Sequence, residues 1–210
     1  MSDLLSIFPL PSVVLFPGVF LPLHVFEPRY REMVSDALAT DRMIGMMLLR
    51  QGWEGDYEGR PPVFGVGCSA VMTHCEKLPD GRFNIILRGL DRFRILDEDR
   101  THSYRRALSE ALPETPLTSD DRISLGHLRT RIEALLSPSE GEGGIDPRAA
   151  KALSDDDLVN ALAQHLDFEP LEKQALLEKD SVLERGRGLV DLLEMRMLMA
   201  RGLGLRPTVH

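Results

Sequence analysis

The 210-residue sequence predicts an α+β protein with a strand-rich front half and a helical back half. Three observations support this prediction. Short β-rich runs recur up to about residue 112, a tight-turn sequence stands at residues 79–81, and long polar stretches with helical periodicity follow Pro113. We therefore expect a first subdomain at residues 1–112 and a second at residues 113–210.

The strand predictions rest on short runs of apolar and β-branched residues that are bounded by Gly, Pro and Asp. These runs lie at residues 4–8, 21–26, 43–49, 63–75, 82–87, 92–96 and 103–108. Between two of them, Pro79, Asp80 and Gly81 predict a hairpin turn, in which Gly81 supplies the positive φ that a tight reversal needs.

One helix is predicted inside the front half, directly after the sequence LPLHVFEPRYR. Its apolar residues recur at helical spacing, and Pro28 suits its first turn. They are Tyr30, Met33, Val34, Ala37 and Leu38. LPLHVFEPRYR is therefore expected to be a strand that runs into a helix. Four more helices are predicted at residues 119–136, 154–166, 170–179 and 180–201.

Two details of the back half refine these helices. Ser154 precedes three aspartates, a pattern typical of a capped helix start with carboxylates in the first turn. Gly186 interrupts the apolar stripe of the last helix, where a glycine costs about 1 kcal/mol relative to alanine. A reason to keep glycine there is the close approach of another helix, which we expect.

Composition excludes several classes of function. The net charge of −8 opposes general binding to nucleic acid or anionic lipid. The two cysteines form no CxxC pair, which favours a reducing compartment. Four prolines between residues 9 and 22 interrupt the apolar opening run too often for a membrane helix, and we expect a cytoplasmic protein without a membrane partner.

The sequence offers no strong candidate for a metal or cofactor. Cys68, His74, Cys75 and His102 could be proposed as metal ligands, but Cys75 would point away from Cys68 and His74 in an unbroken strand. The sequence contains neither GxxxxGK[ST] nor GxSxG, so we expect no nucleotide site and no serine nucleophile elbow. We predict no catalytic, cofactor or metal residues.

The polar residues of LPLHVFEPRYR are the most crowded in the chain. We interpret His24, Glu27, Arg29 and Tyr30 as structural members of the corner, with Glu27 able to pair with a neighbouring arginine. A role in a binding groove stays open. A small hydrolase is also considered because His24, Glu27 and Tyr30 are clustered, although the cluster contains no nucleophile.

A local basic segment raises a second function. Residues 82–106 contain seven arginines and four carboxylates. The arginines are Arg82, Arg88, Arg92, Arg94, Arg100, Arg105 and Arg106. Such a segment indicates either a solvated charged face or a surface that binds RNA through phosphate contacts.

Several stretches together resemble the amino-terminal domain of Lon proteases. They are FPLPSVVLFPGVFLPLHVFEPRYREMVSDAL, IGMMLL, VFGVGCSAV, LPDGRFNIILRGLDRFRIL and EPLEKQALLEKDSVLERGRGLVDLL. This resemblance implies a PUA-like twisted β pseudobarrel with one packed helix, followed by a C-terminal helical bundle. It also implies a role in engaging protein substrates. The ATPase and proteolytic parts of Lon have no counterpart in these residues.

These observations predict a non-enzymatic module that binds unfolded polypeptides or a partner protein, and that serves as an adaptor in protein quality control. The predicted contact residues are Phe16, Phe20, Met46 and Met197, since exposed aromatic and methionine side chains suit varied apolar partners. The alternative is a PUA-like RNA-binding module.

Overall fold

The computed structural model describes residues 4–56, 59–136 and 152–203. Its strands are β1 (Leu5–Leu10), β2 (Phe20–Val25), β3 (Met43–Leu48), β4 (Val66–Lys77), β5 (Phe83–Asp99) and β6 (Arg105–Leu112). Its α-helices are α1 (Pro28–Ala39), α2 (Ser119–Leu136), α3 (Asp155–His165), α4 (Pro170–Leu177) and α5 (Val182–Leu203). A 3-10 helix lies at Trp53–Asp56. The predicted α+β class is confirmed.

The chain divides into two compact units. Met1–Glu114 and Phe168–Glu178 form the first, which we call the β unit. Thr115–Asp167 and Lys179–His210 form the second, the helical unit. The β unit thus includes α4, which the sequence boundary at residue 112 assigns to the back half.

The six strands form one sheet in the order β2-β5-β4-β3-β1-β6. Strand β6 pairs antiparallel with β1 and also with the second half of β5, so the sheet closes on itself without forming a clean barrel. Strand β2 pairs antiparallel with the first half of β5 and lies at the end of the strand order. Among the described residues, β2 therefore has a strand neighbour on one side only.

Strand β5 is 17 residues long and joins the two strands predicted at residues 82–87 and 92–96. The predicted break is wrong because Gly89 continues the strand. A Cβ atom at Gly89 would lie 2.1 Å from the carbonyl oxygen of Phe16. Glycine is thus needed here for close backbone approach, whereas its usual role in sequence reading is to mark a turn.

The predicted hairpin at residues 79–81 is present. Gly81 has a φ of 82° and donates its N–H to the C=O of Leu78 at 2.9 Å. The N–H of Leu78 in turn donates to the C=O of Arg82 at 2.8 Å. The hairpin fixes the pairing of β4 with β5 from its first residues.

Helix α1 packs its apolar stripe into the core of the β unit. Tyr30, Met33 and Val34 are buried, and the ring of Tyr30 lies 4.5 Å from that of Phe8 on β1. A second core cluster brings together Ile7, Met47, Phe93 and Ala107 from four strands. The predicted helix and its buried face are both observed.

Helix α4 is held in the β unit by polar contacts of Gln174 and Leu177 with the sheet. Glu169 and Glu172 form a reciprocal capping box at its start. The side-chain amide of Gln174 donates to the C=O of Val66 at 2.9 Å, and Arg92 donates to the C=O of Leu177 at 3.4 Å. These contacts explain why a segment late in the chain belongs to the β unit.

The helical unit is built from α2, α3 and α5. As expected, Ser154 caps α3, since its hydroxyl accepts a hydrogen bond from the N–H of Asp157 at 3.1 Å. A Cβ atom at Gly186 would lie 3.4 Å from both Leu128 and Val159, so the predicted close approach of other helices is observed. Among the described residues, no helix is sufficiently long and apolar to cross a membrane.

Candidate functional site

The corner between β2 and α1 is held by contacts among three of the four residues predicted for it. The carboxylate of Glu27 accepts a hydrogen bond from the Nε of Arg29 at 3.1 Å and lies 3.0 Å from its Nη2. The Arg29 guanidinium lies 4.7 Å from the ring centroid of Tyr30, which is buried against Phe8. These contacts support the interpretation of Glu27, Arg29 and Tyr30 as bracing residues.

His24 does not take part in the contacts among Glu27, Arg29 and Tyr30 described above, because it lies on the exposed face of β2. Its Nδ1 lies 2.8 Å from Oδ1 of Asn84, and its Nε2 lies 3.2 Å from Nη1 of Arg82. The tautomer that satisfies both contacts carries its proton on Nδ1 and accepts at Nε2. Asn84 on β5 therefore orients the imidazole of His24, and the Nε2 lone pair accepts a hydrogen bond from the Arg82 guanidinium.

The four residues predicted to contact a polypeptide have very different exposures. Phe16 is 0% and Met46 is 2% exposed, so both belong to the core in this conformation. Phe20 is 53% exposed, and Met197 is half-buried on α5. The expected shared surface is thus corrected: Met46 lies on the central strand β3, and the backbone of Phe16 packs against Gly89.

Strand β2 presents a row of exposed side chains at the end of the sheet. Its residues alternate between exposed and more buried positions, with Val25 fully buried. We define the edge surface as Phe20, Pro22, His24 and Phe26, which are all exposed. The two phenylalanines are 53% and 59% exposed, which is unusual for large aromatic residues.

Phe20 and His24 were predicted from the sequence as site residues, whereas Pro22 and Phe26 were missed as members of the same surface. The signal was present, since the stretch FLPLHVF alternates with a period of two and carries a proline inside a strand. A proline within such a run is typical of an edge strand.

Two arginines border the edge surface: Arg88 on β5, and Arg82 directly before β5. The exposed Arg88 guanidinium lies 6.0 Å from the ring centroid of Phe20. Arg82 is paired with Asp80 at 2.6 Å, and the N–H and guanidinium of Arg82 lower the pKa of the Asp80 carboxyl. Arg88 therefore places a positive charge beside Phe20, whereas the charge of Arg82 is balanced by Asp80.

A cavity of about 690 Å³ with a mixed polar and apolar lining lies elsewhere in the β unit. Its lining includes Asp36, Asp91, His102, Tyr104 and Arg106. The Tyr104 hydroxyl donates to Asp36 at 2.7 Å, and burial together with this carboxylate raises the pKa of Tyr104 to about 12. The phenol therefore stays protonated at neutral pH and joins α1 to the sheet.

A second exposed apolar group lies on α5 in the helical unit. Met195, Leu198 and Met199 are 50%, 67% and 60% exposed. Their spacing of three and four residues places them on one side of the helix. Unlike the edge surface, this group offers side chains only, because the backbone groups of a helix bond to one another.

The seven arginines between residues 82 and 106 do not share one exposed face. Arg105 is 8% exposed, lies 3.0 Å from the carboxylate of Glu98 and donates to the C=O of Pro61 at 2.6 Å. Arg92 is 3% exposed and lies 3.5 Å from the carboxylate of Glu114. Both contribute to folding of the β unit, and RNA binding stays a prediction.

The proposed metal ligands on β4 are separated by irregularities in the strand. The pairing of β4 with β5 shifts register between Cys68 and Ala70 and again between Met72 and His74. Cys68 is buried and His74 is exposed as a result. Within the described ranges, no group of three or more His, Cys, Asp or Glu residues could hold a metal ion.

Comparison with known proteins assigns a family to this fold. A family profile described as the ATP-dependent protease La (LON) substrate-binding domain matches residues 5–195. The chain is 31% identical over 196 residues to a Lon protease of Trichlorobacter lovleyi, covering 91% of the chain and 24% of that protein. It is 28% identical over 194 residues to the Lon protease of Escherichia coli K12, covering 90% and 24%. The chain thus spans about a quarter of the length of these relatives.

Solved structures show the same fold. The N-terminal domain of a Mycobacterium avium complex Lon protease matches with a TM-score of 0.69 at 17% identity, covering 91% of this chain and 98% of that one. A Lon N-terminal domain protein from Xanthomonas campestris matches with a TM-score of 0.60 at 24% identity, covering 94% and 98%. Because the family profile covers nearly the whole chain, the chain belongs to the Lon substrate-binding domain family.

Proposed function

We propose that this chain binds unfolded polypeptides through the edge surface of the β unit. The observation that carries the proposal is the exposure of Phe20 and Phe26 at a sheet edge that pairs with no further strand among the described residues, in a chain of a substrate-binding family. Large aromatic side chains at a protein surface mark interaction sites more often than isolated aliphatic ones do. An unfolded protein exposes apolar residues that these two rings could cover.

The chemistry of the edge surface favours a broad range of polypeptides. Two aromatic rings and a proline provide apolar contact without a deep pocket, so the surface does not select one side-chain shape. Arg88 adds positive charge beside the ring of Phe20. We therefore propose a preference for apolar stretches that carry acidic or neutral residues over stretches rich in lysine and arginine.

We further propose that these residues bind without catalysing a reaction, and that the protein acts in the cytoplasm as an adaptor in protein quality control. The support is that residues 5–195 match a family described as a substrate-binding domain of an ATP-dependent protease. An adaptor of this kind would hold an unfolded client and pass it to a protease. Addition of the purified chain should then accelerate degradation of an unfolded protein by a purified Lon protease while leaving that protein uncleaved on its own.

The binding proposal is tested with fluorescently labelled, reduced and alkylated α-lactalbumin, which cannot fold. Fluorescence anisotropy should show saturable binding by this chain and much weaker binding of the native, disulfide-bonded protein. The double variant Phe20→Ser and Phe26→Ser should lose most of the affinity. The measurement requires only that the variant keep its melting temperature, which exposed positions allow.

Leu96→Ser is the matched control, because Leu96 is 56% exposed on β5 in the same unit but lies outside the edge surface. It should bind like the unchanged chain. Equal loss of affinity in the control would mean that general surface hydrophobicity drives binding. Absence of binding by the unchanged chain would remove the proposed function.

A further inference from the structure

The backbone hydrogen bonds of β2 determine which of its polar groups point toward β5. The N–H of Gly89 donates to the C=O of Val19 at 2.9 Å, and Gly18 donates to the C=O of Gly89 at 2.9 Å. In an antiparallel ladder, residues that exchange hydrogen bonds with the partner strand alternate with residues whose N–H and C=O point away from it. Counting in steps of two from Val19, the β2 residues whose backbone N–H and C=O groups point toward β5 are Leu21, Leu23 and Val25.

The other side of β5 gives the same alternation independently. The C=O of Arg82 accepts from the N–H of Leu78, and the C=O of Ile86 accepts from the hydroxyl of Thr73 at 3.1 Å. Both donors belong to the β4 side of the β4–β5 hairpin. The backbone N–H and C=O groups of even-numbered residues in the first half of β5 thus point toward β4. Those of odd-numbered residues point toward β2.

The remaining backbone groups of β2 point away from the sheet. They are the N–H and C=O of Phe20, the C=O of Pro22, and the N–H and C=O of His24. Pro22 has no N–H, and its position on this outer side leaves the pairing of β2 with β5 intact. The outer edge of β2 is therefore a row of hydrogen-bonding groups with one donor missing at its centre.

We propose that an extended segment of an unfolded polypeptide binds as an added strand along this outer edge. This inference rests on the proposed function and supplies its mode of binding: main-chain hydrogen bonds to Phe20, Pro22 and His24 provide affinity that does not depend on sequence. The aromatic rings of the edge surface contact alternate side chains of the added segment. Main-chain recognition suits a surface that accepts many different clients.

Two observations favour a client segment over a second copy of this chain. In an antiparallel pairing of two β2 strands centred on Pro22, neither central residue has an N–H, so the central pair forms no hydrogen bond. A client residue opposite Pro22 donates one. Pairing of two copies would also bring the Arg88 guanidinium beside each β2 strand closer to its counterpart, whereas an acidic or neutral client segment is electrostatically complementary to Arg88.

Backbone and side-chain contributions are separated by two substitutions at one position, using reduced and alkylated α-lactalbumin as the ligand. His24→Pro removes an outward N–H, whereas His24→Val keeps it and removes the imidazole. We expect His24→Pro to bind about threefold to tenfold more weakly than His24→Val, the effect of losing one hydrogen bond with the imidazole absent from both. Equal affinities of the two variants would overturn the inference.

Pro22→Thr provides the opposite change, because it adds an outward N–H at the centre of the edge. We expect binding to strengthen by about threefold to tenfold. Amide hydrogen exchange on the unchanged chain supplies a measurement that needs no variant: the N–H groups of Phe20 and His24 should exchange more slowly when the ligand is bound. Unchanged exchange at both amides in the bound state would overturn the inference even if His24→Pro failed to fold.

The outcomes also distinguish this inference from the proposed function. If α-lactalbumin binds and the Phe20 and Phe26 variants weaken it, but the backbone variants and amide exchange do not respond, binding uses side chains alone and only the added strand is wrong. If the unchanged chain does not bind at all, both are wrong. A dimer in sedimentation velocity whose formation protects the same two amides would assign the edge to a second copy instead.

Discussion

Strands β2 and β3 have the same length, but β3 is buried and β2 is largely exposed. Each contains six residues, but five residues of β3 are buried, whereas β2 buries only Val25. Strand β3 has partners on both sides, β4 and β1, while β2 pairs with β5 only, within the residues the structure describes. Among the described residues, β3 therefore contributes buried side chains to the core, whereas β2 carries the exposed rings and an edge that pairs with no further strand.

The largest change in the free energy of unfolding is expected for Phe16 and Met46, the two buried residues that were predicted to contact a polypeptide. Phe16→Ala should lower the free energy of unfolding by about 3 to 5 kcal/mol and Met46→Ala by about 2 to 5 kcal/mol, because each removes a side chain at most 2% exposed and leaves a cavity. Urea denaturation followed by circular dichroism measures both. Losses below about 1 kcal/mol would show that these side chains are accessible and would restore them as contact candidates.

The next effect concerns the contact between Tyr104 and Asp36, which joins α1 to the sheet away from β2. The pKa of Tyr104 is raised to about 12, above its ordinary value of about 10, so the folded state holds this proton more tightly than the unfolded chain. Stability from this group is therefore complete below about pH 10 and is lost as the pH rises toward about 12.

Tyr104→Phe removes both the hydrogen bond and its pH dependence. At neutral pH, it should cost about 1.5 to 3 kcal/mol, since it leaves Asp36 without the hydroxyl that donates to it at 2.7 Å. The decline in stability between about pH 10 and 12 should become shallower. Parallel urea titrations across this range measure the difference, and identical slopes for the two proteins would contradict the assignment.

Gly89 lies where the interior and the edge strand meet, and its substitution should have an intermediate effect. Gly89→Ala should destabilise the β unit by about 1 to 3 kcal/mol, because the added Cβ would lie 2.1 Å from the carbonyl oxygen of Phe16. Gly65→Ala is a suitable control, since no atom lies within 4 Å of a Cβ there. Thermal melting of both variants measures the contrast, and equal melting temperatures would show that the strand bends freely at Gly89.

The smallest effect on stability belongs to the edge strand. Phe20→Ala should change the free energy of unfolding by less than about 0.5 kcal/mol, because the side chain is 53% exposed, while it weakens binding of the unfolded polypeptide. Denaturation and anisotropy on one preparation measure both quantities. A large loss of stability would mean that Phe20 is a structural residue and would remove the contrast between β2 and β3.

Local patterns were sufficient to predict much of the fold. Pro28 and the helical spacing of Tyr30, Met33 and Val34 predicted α1, and the positive φ expected of Gly81 predicted the hairpin. These features depend on residues close in sequence. The resemblance to Lon N-terminal domains, carried by longer stretches, predicted the order of a strand-rich part and a helical part.

Features that depend on distant contacts could not be predicted in the same way. Phe16 and Phe20 are four residues apart in a proline- and glycine-containing run, where only Phe20 belongs to a strand and the rule of alternating faces does not extend to Phe16. The continuity of β5 depends on the approach of Phe16 to Gly89, and the place of α4 depends on the bond from Gln174 to Val66. Each requires knowledge of a partner far along the chain.

Photo-crosslinking from defined positions tests most directly whether the edge of β2 binds the polypeptide. A benzophenone amino acid in place of Phe26 should crosslink to reduced and alkylated α-lactalbumin, and the same amino acid in place of Leu96 or Met199 should yield little product, although all three positions are exposed. Strong crosslinking from position 96 or 199 with none from position 26 would contradict the claim that the edge of β2 binds the polypeptide.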